Sequence, residues 1–219
     1  MNTRRICMND VYDLNLMGGN ADKAHYAVYW WSNDGIFDRY SVNRMICEFT
    51  KDNRVYMIAR TVDDKETLSM MQNNANIITD LQLCQIVNGS EYTKIILSMK
   101  NLKSVVFDNL RVFENKELIN GLLKAKLTRF GFLKGSENIG LIKTFIDEGG
   151  VSEIVCNYES FDIIKKFDNF KKIKKAFIIA DSTNEEKARC IKVDGLRIII
   201  LVFGNIDRKF FITEVEDFA

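Results

Sequence analysis

Leu102-Lys103-Ser104-Val105-Val106-Phe107-Asp108-Asn109-Leu110 is the stretch on which the fold turns. Its apolar residues fall at Leu102, Val105 and Phe107: apolar, two residues, apolar, one residue, apolar. The same template recurs as Ile78/Leu81/Leu83, Leu127/Phe130/Phe132, Val151/Ile154/Cys156, Ile173/Ala176/Ile178 and Leu196/Ile199/Leu201. Successive starts are 24, 25, 24, 22 and 23 residues apart. A near-constant period of this size marks a repeat architecture. The intervals carry the complementary signal, with helix-like segments at 91–100, 115–125, 138–148, 161–170 and 184–191. Their apolar residues fall on one helix face, as at Ile119, Leu122 and Leu123, at Ile139, Ile142 and Phe145, and at Phe161, Ile164 and Phe167. Each unit therefore reads as a short strand, a turn and a helix of about ten residues. One unit cannot bury both of its apolar faces, and stacked neighbours can.

The template resembles the L-x-x-L-x-L core of leucine-rich repeats over about residues 76–203. Where the family's ladder Asn or Cys would fall, the chain has Ile86, Leu110, Gly135, Glu159, Asp181 and Gly204, so the units are irregular. The resemblance implies an α/β solenoid of about six strand-helix units. A narrower likeness rests on Arg44-Met45-Ile46-Cys47-Glu48-Phe49 and Val55-Tyr56-Met57-Ile58 ahead of such units. This resembles the region after the F-box of nematode F-box-associated proteins, and it implies an adaptor that holds substrates for ubiquitin ligases. Residues 1–38 show neither proline nor the Leu-Pro signature of an F-box.

Ahead of the repeats, Met17–Asp22 and Ser32–Gly35 carry turn chemistry and His25–Trp31 is aromatic and β-prone. Two strand-like runs, Tyr40–Phe49 and Arg54–Thr61, are joined by the polar tetrad Thr50–Asn53, which predicts a β-hairpin. Segment 62–73 is helix-compatible, with Leu68, Met70 and Met71 available to a core. The expected organisation is an N-terminal cap over 1–75, containing the hairpin, and a repeat array with its own C-terminal cap over 76–219.

Composition bounds the function classes. The 219 residues are 47 % hydrophobic and 28 % charged, ordinary for a globular chain and far from disordered or low-complexity classes. Thirty-one basic residues oppose thirty acidic ones, and a net charge of +1 gives no global reason to expect nucleic acid or an anionic membrane as partner. Proline is absent, where average usage would give about eleven. No apolar run reaches the roughly eighteen residues of a membrane span, and no secretory h-region is visible. Cys7, Cys47, Cys84, Cys156 and Cys190 are odd in number, widely spaced and without a Cys-x-x-Cys pair. They read as reduced thiols of a cytoplasmic or nuclear protein.

If the triplets are parallel strands, their first, fourth and sixth positions face the core, and the third and fifth face outward. The fifth column reads Gln82, Val106, Gly131, Val155, Phe177, Ile200, and the third reads Asp80, Ser104, Arg129, Glu153, Lys175, Ile198. The outward face is then polar at one end and apolar at the other. Tyr158, Phe177, Ile198, Ile200, Phe203 and Val155 are the expected partner-binding residues, the partner being another protein or a second copy of the chain. Burying each such side chain is worth about 1.5–3 kcal/mol, so a bare patch would invite association. The competing expectation is that the tail, Lys209–Phe218, folds back as a cap.

No chemistry-bearing motif is visible: no catalytic residue, cofactor motif or metal site is expected. His25 has no nucleophile or carboxylate at a recognisable spacing, and no P-loop or G-x-G-x-x-G occurs. Asp181 after Ala176–Ala180 offers one alternative, a small α/β metal-dependent enzyme with Asp181 at a strand's carboxyl end. Helix N-capping by Ser182 or Thr183, with Glu185 and Glu186 in the first turn, explains the same residues. Lys165, Lys166, Lys171, Lys172, Lys174 and Lys175 read as a solvated face. The most economical function is non-enzymatic protein recognition.

Overall fold

A computed structural model describes residues 26–29, 54–59, 65–83, 90–107, 115–133, 139–181, 183–203 and 210–215. The elements are β1 (Tyr26–Tyr29), β2 (Arg54–Ala59), α1 (Lys65–Asn74), β3 (Asp80–Leu83), α2 (Ser90–Ser98), β4 (Ser104–Phe107), α3 (Lys116–Lys124) and β5 (Arg129–Phe132). They continue as α4 (Ile139–Asp147), β6 (Glu153–Asn157), α5 (Tyr158–Ile164), a 3-10 turn (Asp168–Lys172), β7 (Lys175–Asp181), α6 (Glu185–Arg189), β8 (Arg197–Phe203) and β9 (Phe210–Val215). All nine described strands belong to one sheet whose order is the order of the chain. Every pairing from β1 to β8 is parallel, and only β9 runs antiparallel, against β8.

The helices form where the apolar period predicts them and lie against one face of the sheet. Leu118 and Leu122 of α3, Ile142, Phe145 and Ile146 of α4, and Phe161 and Ile164 of α5 are buried. They share one core with the first, fourth and sixth template residues of the first five units. Phe130 and Phe145 stack across this layer with ring centroids 3.6 Å apart. Local chemistry sets the helix starts. Asn115 caps α3 by accepting from the Leu118 amide at 2.9 Å, and Asn157 caps α5 by accepting from the Ser160 amide at 2.9 Å.

The turn from helix to strand also repeats. Gly150 (φ 69°), Gly195 (φ 73°) and Lys126 (φ 53°) each stand one residue before the first apolar residue of a unit, in the left-handed region. Glycine enters that region without steric cost, whereas lysine does not. The residue ahead of β4, β5, β6 and β7 then extends the ladder. The Lys103 amide donates to the Thr79 carbonyl at 2.7 Å, that of Thr128 to Lys103 at 2.8 Å and that of Lys174 to Ser152 at 2.8 Å.

Two expectations need correcting. The hairpin is replaced by a parallel arrangement: β2 pairs with β1 on one side and β3 on the other, both parallel. Its two edges are thus taken, while Tyr40–Phe49 lies outside the described residues. The sheet also runs unbroken across the boundary expected at residues 75 and 76. The second correction is one of register. Ala176 pairs with Ile198 and Ile178 with Ile200. In the last unit Ile198 and Ile200, instead of Ile199 and Leu201, continue the core column. That unit has one residue fewer between its first two apolar positions, and a one-residue slip turns every side chain of a strand over. The expected tail cap takes the form of an edge strand, because β9 pairs along β8 from Ile198–Val215 to Phe203–Phe210.

Candidate functional site

The face of the sheet away from the helices carries a row of side chains, one per strand. Asp80, Ser104, Arg129, Glu153, Lys175 and Arg197 are neighbours in register from β3 to β8. Strands lie about 4.8 Å apart, so such residues meet side by side. Arg129 is the centre. Its Nε and Nη2 both donate to Glu153 Oε2, at 2.9 and 2.7 Å. Its Nη1 reaches past Ser104 to Asp80 Oδ1 at 3.3 Å. Glu153 Oε1 pairs in turn with Lys175 Nζ at 3.1 Å, and Asp80 Oδ2 accepts from the Thr79 hydroxyl at 2.7 Å. The guanidinium lies over the Phe177 ring, 4.7 Å from its centroid.

Burial makes these contacts matter. The Arg129 and Asp80 side chains are 0 % exposed, that of Glu153 12 % and that of Lys175 19 %. Burial alone would raise the Glu153 carboxyl. The charges and hydrogen bonds of Arg129 and Lys175 outweigh it and hold that carboxyl below its ordinary range. The Ser104 hydroxyl, enclosed between Asp80 and Arg129 in the row, finds no hydrogen-bond partner. Its small side chain leaves room for Arg129 to cross to Asp80. In the adjoining row Gly131 serves a similar purpose, since a Cβ there would stand 2.0 Å from the Val155 carbonyl oxygen.

The expected partner-binding residues separate into three groups. Val155 and Phe177 do lie on this face, but both are fully buried. Ile198 and Ile200 lie in the helix-side core, so they are removed from the outward face by the register of β8. Tyr158 opens α5 and packs half-buried against the core. Phe203 ends β8 and pairs with Asp181 and Phe210. The expected bare patch is therefore absent among the described residues: Val106, Val155 and Phe177 on this face are fully buried although no described helix packs on it. The charge row itself was missed, although the third column already alternated in sign at Asp80, Arg129, Glu153 and Lys175.

Other expectations are placed as follows. His25, Cys7, Cys47 and Cys84 lie outside the described residues. Cys156 is buried and Cys190 exposed, both as free thiols, and burial pushes the Cys156 thiol well up. Asn184, rather than Ser182 or Thr183, is the N-cap of α6, without a capping side-chain bond; its amide donates to Glu159 Oε1 at 2.9 Å. Lys165, Lys166, Lys171, Lys172 and Lys174 are exposed, while Lys175 turns to Glu153. Among the described residues, no three or more His, Cys, Asp or Glu come together as a metal site would need, and no helix is long and apolar enough to cross a membrane.

No protein family, no curated protein and no solved structure matches this chain at a significant level. The strand order nevertheless bears on the enzymatic alternative. A doubly wound sheet reverses its order at a switch point and opens a crevice there. Among the described strands the order never reverses, so Asp181 at the end of β7 adjoins no crevice of that kind.

Proposed function

We propose that the chain is an irregular leucine-rich-repeat-like solenoid acting as a non-enzymatic protein-recognition scaffold. The observation that supports this most is the unbroken succession of parallel strands in chain order, each followed through the middle of the chain by a helix on the same side. Such arrays grow by adding units and present long, rigid surfaces made of equivalent positions. The buried ion row adds rigidity of register. Opposite charges sit side by side on β5, β6 and β7, and a slipped pairing there would bury like or unpaired charges. The substrate-adaptor form of the role follows from the resemblance to the region after the F-box and would place ubiquitin-ligase subunits among the partners.

Affinity capture from lysate, followed by binding measurements on the purified full chain and each captured protein, tests the reading. A partner that binds the folded chain in fixed stoichiometry supports it. Metal-dependent turnover of a small substrate, abolished by Asp181→Asn, would replace it with the enzymatic alternative.

A further inference from the structure

Because the helices run in one direction, their C-terminal ends and the turns that follow share one edge of the sheet. Three adjacent units there differ from the neutral whole. Lys100 and Lys103 flank the turn after α2, and Lys124 and Lys126 that after α3; all four are exposed. The segments 75–79, 98–103 and 123–128 contain no Asp or Glu. Backbone bonds hold these turns together: Lys103 to Thr79, and Thr128 to Lys103. The Asn101 side chain also donates to the Asn76 carbonyl at 2.5 Å. At strand spacing the three turns cover about 10 Å, comparable with the screening length at 0.1 M salt, so the four charges act as one field.

Helix dipoles account for part of this, since a cation in or next to the last turn is favourable. Of the four lysines only Lys124 lies within a last turn; Lys100 and Lys126 each stand two residues past a helix end and Lys103 five, and Lys126 occupies a left-handed position that two equivalent turns fill with Gly150 and Gly195. Large apolar side chains accompany the charges: Ile77 is 43 % exposed in the first turn and Leu97 38 % exposed near the end of α2. Phosphate backbones offer nothing to cover two aliphatic side chains, whereas a polypeptide does.

We propose that this edge docks an acidic protein segment carrying apolar side chains, which pair with the four lysines and cover Ile77 and Leu97. The proposal deepens the recognition reading and rests on it. The test is fluorescence anisotropy with a labelled peptide of repeating Glu-Glu-Leu-Glu-Glu-Phe. Competitors are poly-glutamate, an oligo-dT strand and phosphatidylcholine–phosphatidylserine vesicles. The expected result is saturable binding that weakens with salt, falls at least about tenfold in Lys100→Glu/Lys103→Glu and in Lys124→Glu/Lys126→Glu, and falls in Ile77→Ser/Leu97→Ser. Lys116→Glu, at the other end of α3, leaves it unchanged. Thermal melts establish that each variant is folded. No peptide binding, lysine variants that bind as tightly as the native chain, or tighter binding of the oligonucleotide or vesicles overturns the proposal. Cross-links from a captured partner that map elsewhere overturn the edge but leave the recognition reading standing.

Discussion

Arg129→Met is the perturbation that most directly probes the buried row. Methionine keeps much of the length and apolar bulk of the arginine stem but deletes three hydrogen bonds, two to Glu153 and one to Asp80. It also deletes the cation over Phe177. Glu153 retains Lys175 at 3.1 Å. Asp80 keeps the Thr79 hydroxyl at 2.7 Å but loses the guanidinium that reaches it past Ser104, at a side chain 0 % exposed. Removing one partner of a buried ion pair costs about 3–5 kcal/mol, chiefly through the charge left behind. For a chain of this size, each kcal/mol lowers the melting midpoint by about 2–4 °C, so the expected fall is about 6–20 °C. Urea unfolding followed by circular dichroism measures the free energy. The double variant Asp80→Asn/Arg129→Met should recover part of the loss, because a buried carboxylate is removed together with the guanidinium that faced it. A single-variant cost below about 1 kcal/mol, the level of a surface pair, or strictly additive losses in the double variant, would refute the assignment of this row as a desolvated network.

Other consequences can be measured separately. Glu153 has its carboxyl held below an ordinary value of 4.5. Its stabilising contribution is therefore complete above that pH and lost as pH falls through the lower folded value; Glu153→Gln should flatten this part of the acid-unfolding curve without moving the neutral arm. Gly131→Ala should destabilise by about 1–3 kcal/mol or more, since the new Cβ meets backbone rather than a side chain that can yield; an unchanged urea midpoint would contradict the β5–β6 geometry. Ile200→Ser should cost about 3 kcal/mol or more as a polar group placed in the helix-side core, whereas an outward Ile200 would tolerate it and gain solubility. With iodoacetamide and peptide mapping, Cys190 should label in the native chain and Cys156 only on unfolding.

Most of the architecture was legible because each unit writes the same period twice. The strand triplets and the helix stripes predicted four helices within a few residues of those observed, and placed a fifth over 161–170 where the chain forms Tyr158–Ile164 and then a 3-10 turn. The inward columns of five units also followed directly, from Leu81 and Leu83 to Ala176 and Ile178. The last unit failed for a reason inherent in its composition. Arg197-Ile198-Ile199-Ile200-Leu201-Val202-Phe203 is apolar at every position after the first, so no alternation remains to say which face is which. Only hydrogen-bonding to β7 chose the register. The hairpin failed similarly: two β-prone runs joined by a polar turn satisfy the local signal. Parallel pairing of β2 to strands about 25 residues away on either side is a contest between partners that local patterning does not contain.

By itself, the order of residues determined the repeating strand-helix unit, its period and, from β3 to β7, the side of the strand that meets the helices, because these depend on contacts within one unit and its neighbour. Tertiary structure alone decided the register of β8, the parallel company of β2, and the joining of Asp80, Arg129, Glu153 and Lys175 into one row. Arg129 and Asp80 are 49 residues apart in the chain. Only when three strands have paired in register, with a residue as small as Ser104 between them, does a guanidinium reach a carboxylate that water has left.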